Sequence, residues 1–167
     1  KGAVGNVFVY LKTGLEGKKF APAKEPVVME QKGCLFAPQV AGMQTGQPIK
    51  VVNADPVTHN IHPQPHENRD WNQSQAPDDP PLLRKFTVPE IMIPVKCNVH
   101  KWMHAWIGVL DHPYFAVTGT DGAFEIRNVP PGSYTVAVWQ EKLGTQEQAV
   151  TLAASAKSEL TFTFKGN

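Results

Sequence analysis

The segment YTVAVW at residues 134–139 alternates in side-chain character with a period of two residues. Such alternation is typical of a β-strand with one face buried. The same period appears at residues 123–127, 148–152 and 160–164, and turn-forming Gly, Pro and Asp separate these segments. No window keeps a helical period of 3.6 residues for more than two turns. We therefore predict an all-β chain, with strands spaced as in β-sandwiches.

The composition indicates a folded, turn-rich chain of one domain or two small ones. Glycine and proline number 13 and 15 of 167 residues, about 17%, between the average of about 12% and the 25–30% typical of disorder. The net charge of +1 excludes a strongly basic nucleic-acid-binding surface and a polyacidic tail. The uncharged apolar run at residues 105–110 is far shorter than the ~18 residues of a membrane span. We therefore expect neither a nucleic-acid partner nor a membrane span.

The segment KCNVHKWMH at residues 96–104 contains a dense set of soft metal ligands. It offers the thiolate of Cys97, the imidazole of His100 and the thioether of Met103 with the spacing C-x2-H-x2-M. The segment THNIH at residues 58–62 lies upstream. Thiolate and thioether ligands select copper over Mg²⁺, Ca²⁺ or Mn²⁺, and a His₂Cys set with a distant Met is the geometry of electron-transfer copper sites. Zinc is a weaker candidate because Met is not among its usual ligands.

Together these motifs resemble the cupredoxin family, the plastocyanin–azurin superfamily, over residues 33–111. The C-x2-H-x2-M loop and the H-N-x-H motif at residues 59–62 both match the amicyanin type. The resemblance covers about half of the chain. It implies a type 1 (blue) copper site in which His59 and His100 are the imidazole ligands, Cys97 is the thiolate and Met103 is the axial thioether.

The resemblance also implies roles for residues around the metal. Asn60 would hydrogen-bond across to the cysteine loop and hold the two ligand segments together. The backbone N–H of Asn98 or Val99 would donate to the Cys97 sulfur and tune the reduction potential. Trp102 would lie at the surface near His100, in the apolar patch through which cupredoxins meet their partners.

The sequence leaves open whether two further side chains, Cys34 and His104, are metal ligands. Cys34 could be a small buried thiol, a disulfide partner of Cys97 or a metal ligand. His104 could replace Met103 as the fourth ligand and make a harder, non-blue site. The remaining histidines are expected to be surface or internally satisfied residues: His62, His66 and His112.

The C-terminal part resembles a second family. The turns T-D-G-x-F at residues 120–124 and P-P-G-x-Y at residues 130–134 resemble those of the carboxypeptidase regulatory-like, or transthyretin-like, β-sandwich module. A strand of the kind that begins such modules lies near the N-terminus. We therefore predict a cupredoxin-like copper domain at 26–111, inserted into a transthyretin-like sandwich made of 1–25 and 112–167. One merged sandwich is the alternative.

The cupredoxin resemblance implies a non-enzymatic carrier of single electrons. Electrons would pass through the edge of His100 to a redox partner protein, of the cytochrome or dehydrogenase class, that the sequence does not name. The chain begins at Lys1 and runs directly into a strand-like segment, so an export signal would already have been removed and we expect a periplasmic or secreted protein. Two alternatives remain: a secreted binding or scaffold protein with a Cys34–Cys97 disulfide, and a copper capture or delivery protein.

Overall fold

A computed structural model describes residues 2–166. Within this range every helix or strand assigned is a β-strand, and no helix is available that could cross a membrane. The predicted all-β fold class is confirmed. The strands are β1 (Phe8–Thr13), β2 (Val27–Lys32), β3 (Leu35–Ala37), β4 (Val40–Gln44), β5 (Pro48–Asn53), β6 (His59–Pro63), β7 (Gln73–Gln75), β8 (Leu82–Lys85), β9 (Glu90–Lys96), β10 (His104–Leu110), β11 (Phe115–Val117), β12 (Gly132–Gln140) and β13 (Gly144–Leu152).

The chain divides into two compact units. Residues 19–113 form one, here called the central unit. Residues 1–18 and 114–167 form the other, here called the terminal unit. The terminal unit is therefore discontinuous in sequence, because the central unit lies between its first strand and the rest.

The central unit contains two sheets, with strand orders β4-β10-β9-β6-β7 and β3-β2-β5-β8. The β4–β10 and β2–β5 pairs are parallel and the other pairs in the two sheets are antiparallel. Apolar side chains from both sheets form one buried cluster that includes Met29 and Val51 from one sheet and Ile61 and Ile107 from the other. Burial of this shared apolar area is the main source of stability for a two-sheet unit.

The terminal unit contains one antiparallel sheet with the order β11-β1-β12-β13. Its longest pairing joins β12 to β13 from Gly132 to Gln140. The strands predicted at residues 123–127 and 160–164 are not formed, and that expectation was wrong. Near the second segment, the amides of Gln146 and Gln148 donate to the carbonyls of Thr163 and Thr161 at 2.8 and 2.7 Å. Side chains rather than backbone N–H groups bind these carbonyls, so this contact is not a strand ladder.

Glu90, the first residue of β9, anchors the loop that follows β6. Its carboxylate accepts hydrogen bonds from the backbone N–H groups of His66, Glu67 and Asn68 at 2.7, 2.8 and 3.1 Å. The side-chain amide of Asn68 adds a fourth bond at 3.2 Å. Desolvation raises the pKa of Glu90, but these hydrogen bonds outweigh it and hold the pKa below its ordinary value. The ionised carboxylate therefore stabilises the fold.

We predict that Glu90→Gln lowers the free energy of unfolding by about 1–2 kcal/mol at pH 7, because charge-assisted hydrogen bonds are lost. A carboxyl group with a lowered pKa stabilises the fold above its unfolded pKa of about 4.3. That stabilisation is lost as the pH falls through the folded value. The difference between the two proteins should therefore shrink below about pH 4. Urea unfolding between pH 3 and 7 measures it, with Glu67→Gln in the same loop as the control. An unchanged difference at pH 3 would contradict the prediction.

Candidate metal centre

The loop at residues 97–103 joins the paired strands β9 and β10. Its ends are held together because His104 pairs with Lys96 in the sheet. Within the loop, Cys97 N–H donates to the Met103 carbonyl at 3.2 Å and Met103 N–H donates to the His100 carbonyl at 3.0 Å. The seven-residue loop is therefore a closed, hydrogen-bonded turn rather than an open excursion.

Cys97 and Met103 form the buried base of this loop. Cys97 is 2% exposed and Met103 is fully buried, and both belong to the apolar cluster of the central unit. His100 is half-buried, whereas Val99 and Trp102 are exposed. The sulfur-bearing side chains therefore face the core, and the loop presents His100 between the core and the solvent.

The sheet register brings His59 to the same place. Strand β6 pairs antiparallel with β9, and His62 lies opposite Lys96. In an antiparallel pair, a step back along one strand corresponds to a step forward along the other. His59 is three residues before His62, so it lies beside the residues that follow Lys96. A histidine distant in sequence thus contacts the loop that begins at Cys97.

His59 and His100 face each other through the same type of ring nitrogen. Their Nδ1 atoms are 3.0 Å apart, and the His59 ring is fully buried. The other nitrogen of His59, Nε2, lies 2.7 Å from the Asp55 carboxylate. A carboxylate accepts hydrogen bonds when ionised, so Nε2 carries a proton, and in the neutral ring Nδ1 then keeps a free lone pair. This arrangement prepares His59 as a metal ligand, as carboxylate partners of metal-binding histidines do.

Asp55 is a functional residue that the sequence interpretation missed. Besides His59, its carboxylate accepts the backbone N–H groups of Gly33 and Cys34 at 2.7 and 2.8 Å. Desolvation raises the pKa of Asp55, but the bonds from Cys34, His59 and Gly33 outweigh it and hold the pKa below its ordinary value. The sequence signal that could have identified Asp55 is the position of a carboxylate four residues before a candidate ligand.

Asn60 ties β6 to the cysteine loop. Its Oδ1 accepts the backbone N–H of Asn98 at 2.5 Å and of Val99 at 3.3 Å, and the Cys97 Sγ lies 3.3 Å away. The expected hydrogen bond from Asn98 or Val99 to the sulfur is not formed here, because both N–H groups donate to the Asn60 side chain. Instead, the N–H of His100 donates to Cys97 Sγ at 3.5 Å.

His104 does not lie in the site. It is exposed, and its two ring nitrogens contact the Gln39 side chain at 3.1 Å and the Trp102 carbonyl at 3.0 Å. Successive side chains along a strand point to opposite faces, so His104 points outward where its neighbour Ala105 in β10 is buried. The structure therefore does not place His104 with the donor atoms of His59 and His100. Trp102 is 60% exposed, and its ring centroid lies 5.1 Å from that of His100.

The other histidines interact with residues other than His59 and His100. His62 Nε2 lies 3.0 Å from Asp70, and its buried Nδ1 makes no hydrogen bond with any group of residues 2–166. His66 is exposed, and the buried His112 packs edge-on against Phe20.

Cys34 enters the site from a third segment. Among residues 2–166, a group of ligand atoms within 4.8 Å of one another comprises Cys34, His59 and His100. Cys97 is not in that group, although its Sγ is 3.9 Å from His100 Nδ1. Both cysteines are free thiols. The structure therefore lacks the Cys34–Cys97 disulfide on which the scaffold alternative depends.

The donor geometry fits a metal ion that prefers nitrogen and sulfur. Two nitrogens that bind the same ion at about 2.0–2.1 Å lie about 3.0–3.4 Å apart. A nitrogen and a thiolate sulfur that bind the same ion lie at most about 4.4 Å apart, the sum of their two bond lengths to it. The separations of 3.0 Å between the imidazoles and 3.9 Å between Cys97 and His100 satisfy both limits. The residues present can therefore hold a soft or borderline metal ion.

Comparison with known proteins gives a family match for the C-terminal part of the chain. A family model described as a carboxypeptidase regulatory-like domain matches residues 108–165. The resemblance that the turns at residues 120–124 and 130–134 carry is thereby confirmed. No curated protein sequence matches the chain.

Solved copper proteins are similar to the chain at low identity. A Cu-containing nitrite reductase (NirK) from Thermus scotoductus SA-01 is 19% identical, with a TM-score of 0.48 over 60% of this chain. The chain spans only 25% of the length of that reductase. A purple cupredoxin from Nitrosopumilus maritimus is 16% identical, with a TM-score of 0.42, over 50% of this chain and 98% of its own. Amicyanin from Paracoccus versutus is 15% identical, with a TM-score of 0.45, over 60% of this chain and 96% of its own.

Proposed function

We propose that the central unit binds copper through His59, Cys97, His100 and Met103 and carries single electrons between redox partners in the periplasm or outside the cell. The observation that carries the proposal is the pair of imidazole Nδ1 atoms 3.0 Å apart, with a buried thiol beside them. A copper ion held there would supply one-electron chemistry by alternating between Cu(II) and Cu(I). Thiolate and thioether ligands favour copper over harder ions.

The chain supplies a site that is organised before any metal arrives. Asp55 fixes the ring orientation of His59, and Asn60 holds the loop that bears Cys97 against β6. Ligands locked by such partners keep their positions when the charge of the site changes. Binding of the metal removes the Cys97 thiol proton, whereas the bonds from the backbone to Asn60 do not depend on that proton.

A partner would dock on the apolar surface around His100. Leu35, Val99 and Trp102 are 56%, 60% and 60% exposed, and the last two belong to the ligand loop. Exposed apolar side chains grouped around a polar feature mark interaction surfaces more often than scattered ones do. We propose that the cytochrome or dehydrogenase partner meets the protein here, with the His100 ring as the exit for the electron.

We predict that one equivalent of Cu(II) gives the purified protein an intense visible charge-transfer band that disappears on reduction and returns on reoxidation. Cys97→Ser should abolish the Cys97 component of this band, because the thiolate is its source. His104→Ala is the matched control and should leave the band unchanged, since that side chain points outward. Visible absorption and electron paramagnetic resonance spectra make the measurement.

A wild-type protein that stays colourless with Cu(II) would contradict the proposal. A band that cannot be cycled by a reductant and an oxidant would instead favour copper capture or delivery over electron transfer.

We predict that Asn60→Ala lowers the copper affinity about 10–100-fold, the usual effect of losing a partner that orients metal ligands. The backbone N–H groups of Asn98 and Val99 would lose their acceptor, and the loop would loosen. Asn72→Ala is the control: it removes the 2.8 Å bond from the Asn60 amide to Asn72 but leaves the contacts of Asn60 Oδ1 with the loop. Competition with a chromophoric chelator measures both affinities, and equal values for the two variants would contradict the assigned role.

We predict that Trp102→Ala slows electron self-exchange of the copper-loaded protein at least about tenfold, as expected when an exposed Trp anchors a contact. Trp102→Phe should keep most of the rate, because an aromatic surface remains. Leu83→Ala is the control, since Leu83 is 58% exposed on the edge strand β8. Self-exchange is measured by line broadening in mixtures of oxidised and reduced protein. A rate that is insensitive to Trp102 would contradict the docking surface.

A further inference from the structure

We propose that Cys34 binds the metal ion directly, as a second thiolate beside His59, Cys97 and His100. The proposal rests on the copper function proposed above and changes its ligand set. A site with two thiolates is not the His₂Cys–Met set that the sequence motifs indicate, so it predicts a different colour and a different potential.

The position of Cys34 relative to the imidazoles is the main observation. Its Sγ, one ring nitrogen of His59 and one ring nitrogen of His100 lie within 4.8 Å of one another, although they come from three separate segments of the central unit. A sulfur and a nitrogen that share an ion are at most about 4.4 Å apart. Any separation longer than this limit has to close, by movement of the turn toward the imidazoles, before all three atoms can bind one ion.

The turn that bears Cys34 has a conformation that cysteine seldom adopts. Gly33 and Cys34 link β2 to β3 as a two-residue hairpin loop, with φ angles of 63° and 56°. Two successive residues with positive φ are typical of a type I′ turn, which prefers Asn, Asp or Gly. A side chain other than Gly disfavours this region, because its Cβ comes too close to the following carbonyl oxygen. The hairpin thus holds a thiol at a position where Asn or Gly would give a more stable turn.

Hydrogen bonds tie Cys34 to both other ligand segments. The Asp55 carboxylate accepts the N–H of Cys34 at 2.8 Å and the Nε2–H of His59 at 2.7 Å. The indole N–H of Trp102 donates to the Cys34 carbonyl at 2.9 Å. One carboxylate therefore fixes the turn and the first histidine together, and an indole of the ligand loop fixes the turn from the other side.

A second thiolate would also change the charge of the site. Two neutral imidazoles and one thiolate leave Cu(II) with a net charge of +1, which the Asp55 carboxylate beside His59 balances. A second thiolate adds one further negative charge. Thiolate in place of thioether also stabilises Cu(II) relative to Cu(I), so we expect a lower reduction potential than that of the same site without Cys34.

The test compares the wild-type protein with Cys34→Asn, Cys34→Ser and the neighbouring control Leu35→Asn, each loaded with copper. Asn tolerates positive φ, so a loss of copper binding in Cys34→Asn cannot come from failure of the hairpin. X-ray absorption counts the sulfur atoms close to copper, and competition with a Cu(I) chelator gives the affinity. Alkylation with iodoacetamide, followed by mass spectrometry, reports whether copper shields the half-buried thiol.

We expect one copper per chain, with two short copper–sulfur bonds in the wild-type and Leu35→Asn proteins and one in both Cys34 variants. The Cu(I) affinity of the Cys34 variants should fall by more than the about 10–100-fold that loss of an outer partner causes. Copper should protect Cys34 from alkylation in the wild-type protein.

Three outcomes test the two proposals. A wild-type protein that binds copper through one short sulfur bond, with unchanged spectra in Cys34→Asn, would overturn the second thiolate and leave the copper function standing. A wild-type protein that binds no copper would overturn both. Two copper ions per chain would overturn the single-ion ligand set.

Discussion

The antiparallel register of β9 with its two neighbours determines the candidate metal centre. Pairing with β10 closes the loop at residues 97–103, and pairing with β6 sets His59 beside that loop. Because side chains alternate along strands, a shift of one residue in β6 would turn the His59 ring to the other face. The buried cluster beneath Cys97 and Met103 enforces this register. The site therefore depends on the packing of the two sheets as much as on the ligand side chains.

Two side chains accept the hydrogen bonds that organise the centre. Asn60 satisfies the backbone of the cysteine loop, while Asp55 holds His59 and the hairpin at Gly33 and Cys34. Each joins segments that are distant in sequence, so the donor atoms are positioned without any contribution from a bound ion. A site organised in this way needs little rearrangement when its charge changes, as the proposed electron transfer would require.

The strand prediction succeeded where packing reinforces the local pattern. Alternation predicts β12 correctly, and that strand is paired on both sides, with β1 and β13. The same alternation at residues 123–127 and 160–164 produced no strand, since a period of two shows that a segment can be half-buried but not that a partner strand lies beside it. The Gln146 and Gln148 side chains contact the second of these segments instead.

The sequence by itself determined the all-β class, the soft donor chemistry and the two short motifs, because strand period, residue type and spacing are local properties. Only the tertiary structure decided which donors meet. It placed Cys34 with His59 and His100, turned His104 outward and directed the N–H groups of Asn98 and Val99 to Asn60. These outcomes depend on the register between distant strands and on where the hairpin at Gly33 and Cys34 packs against other segments, and neither is encoded within a single segment of the chain.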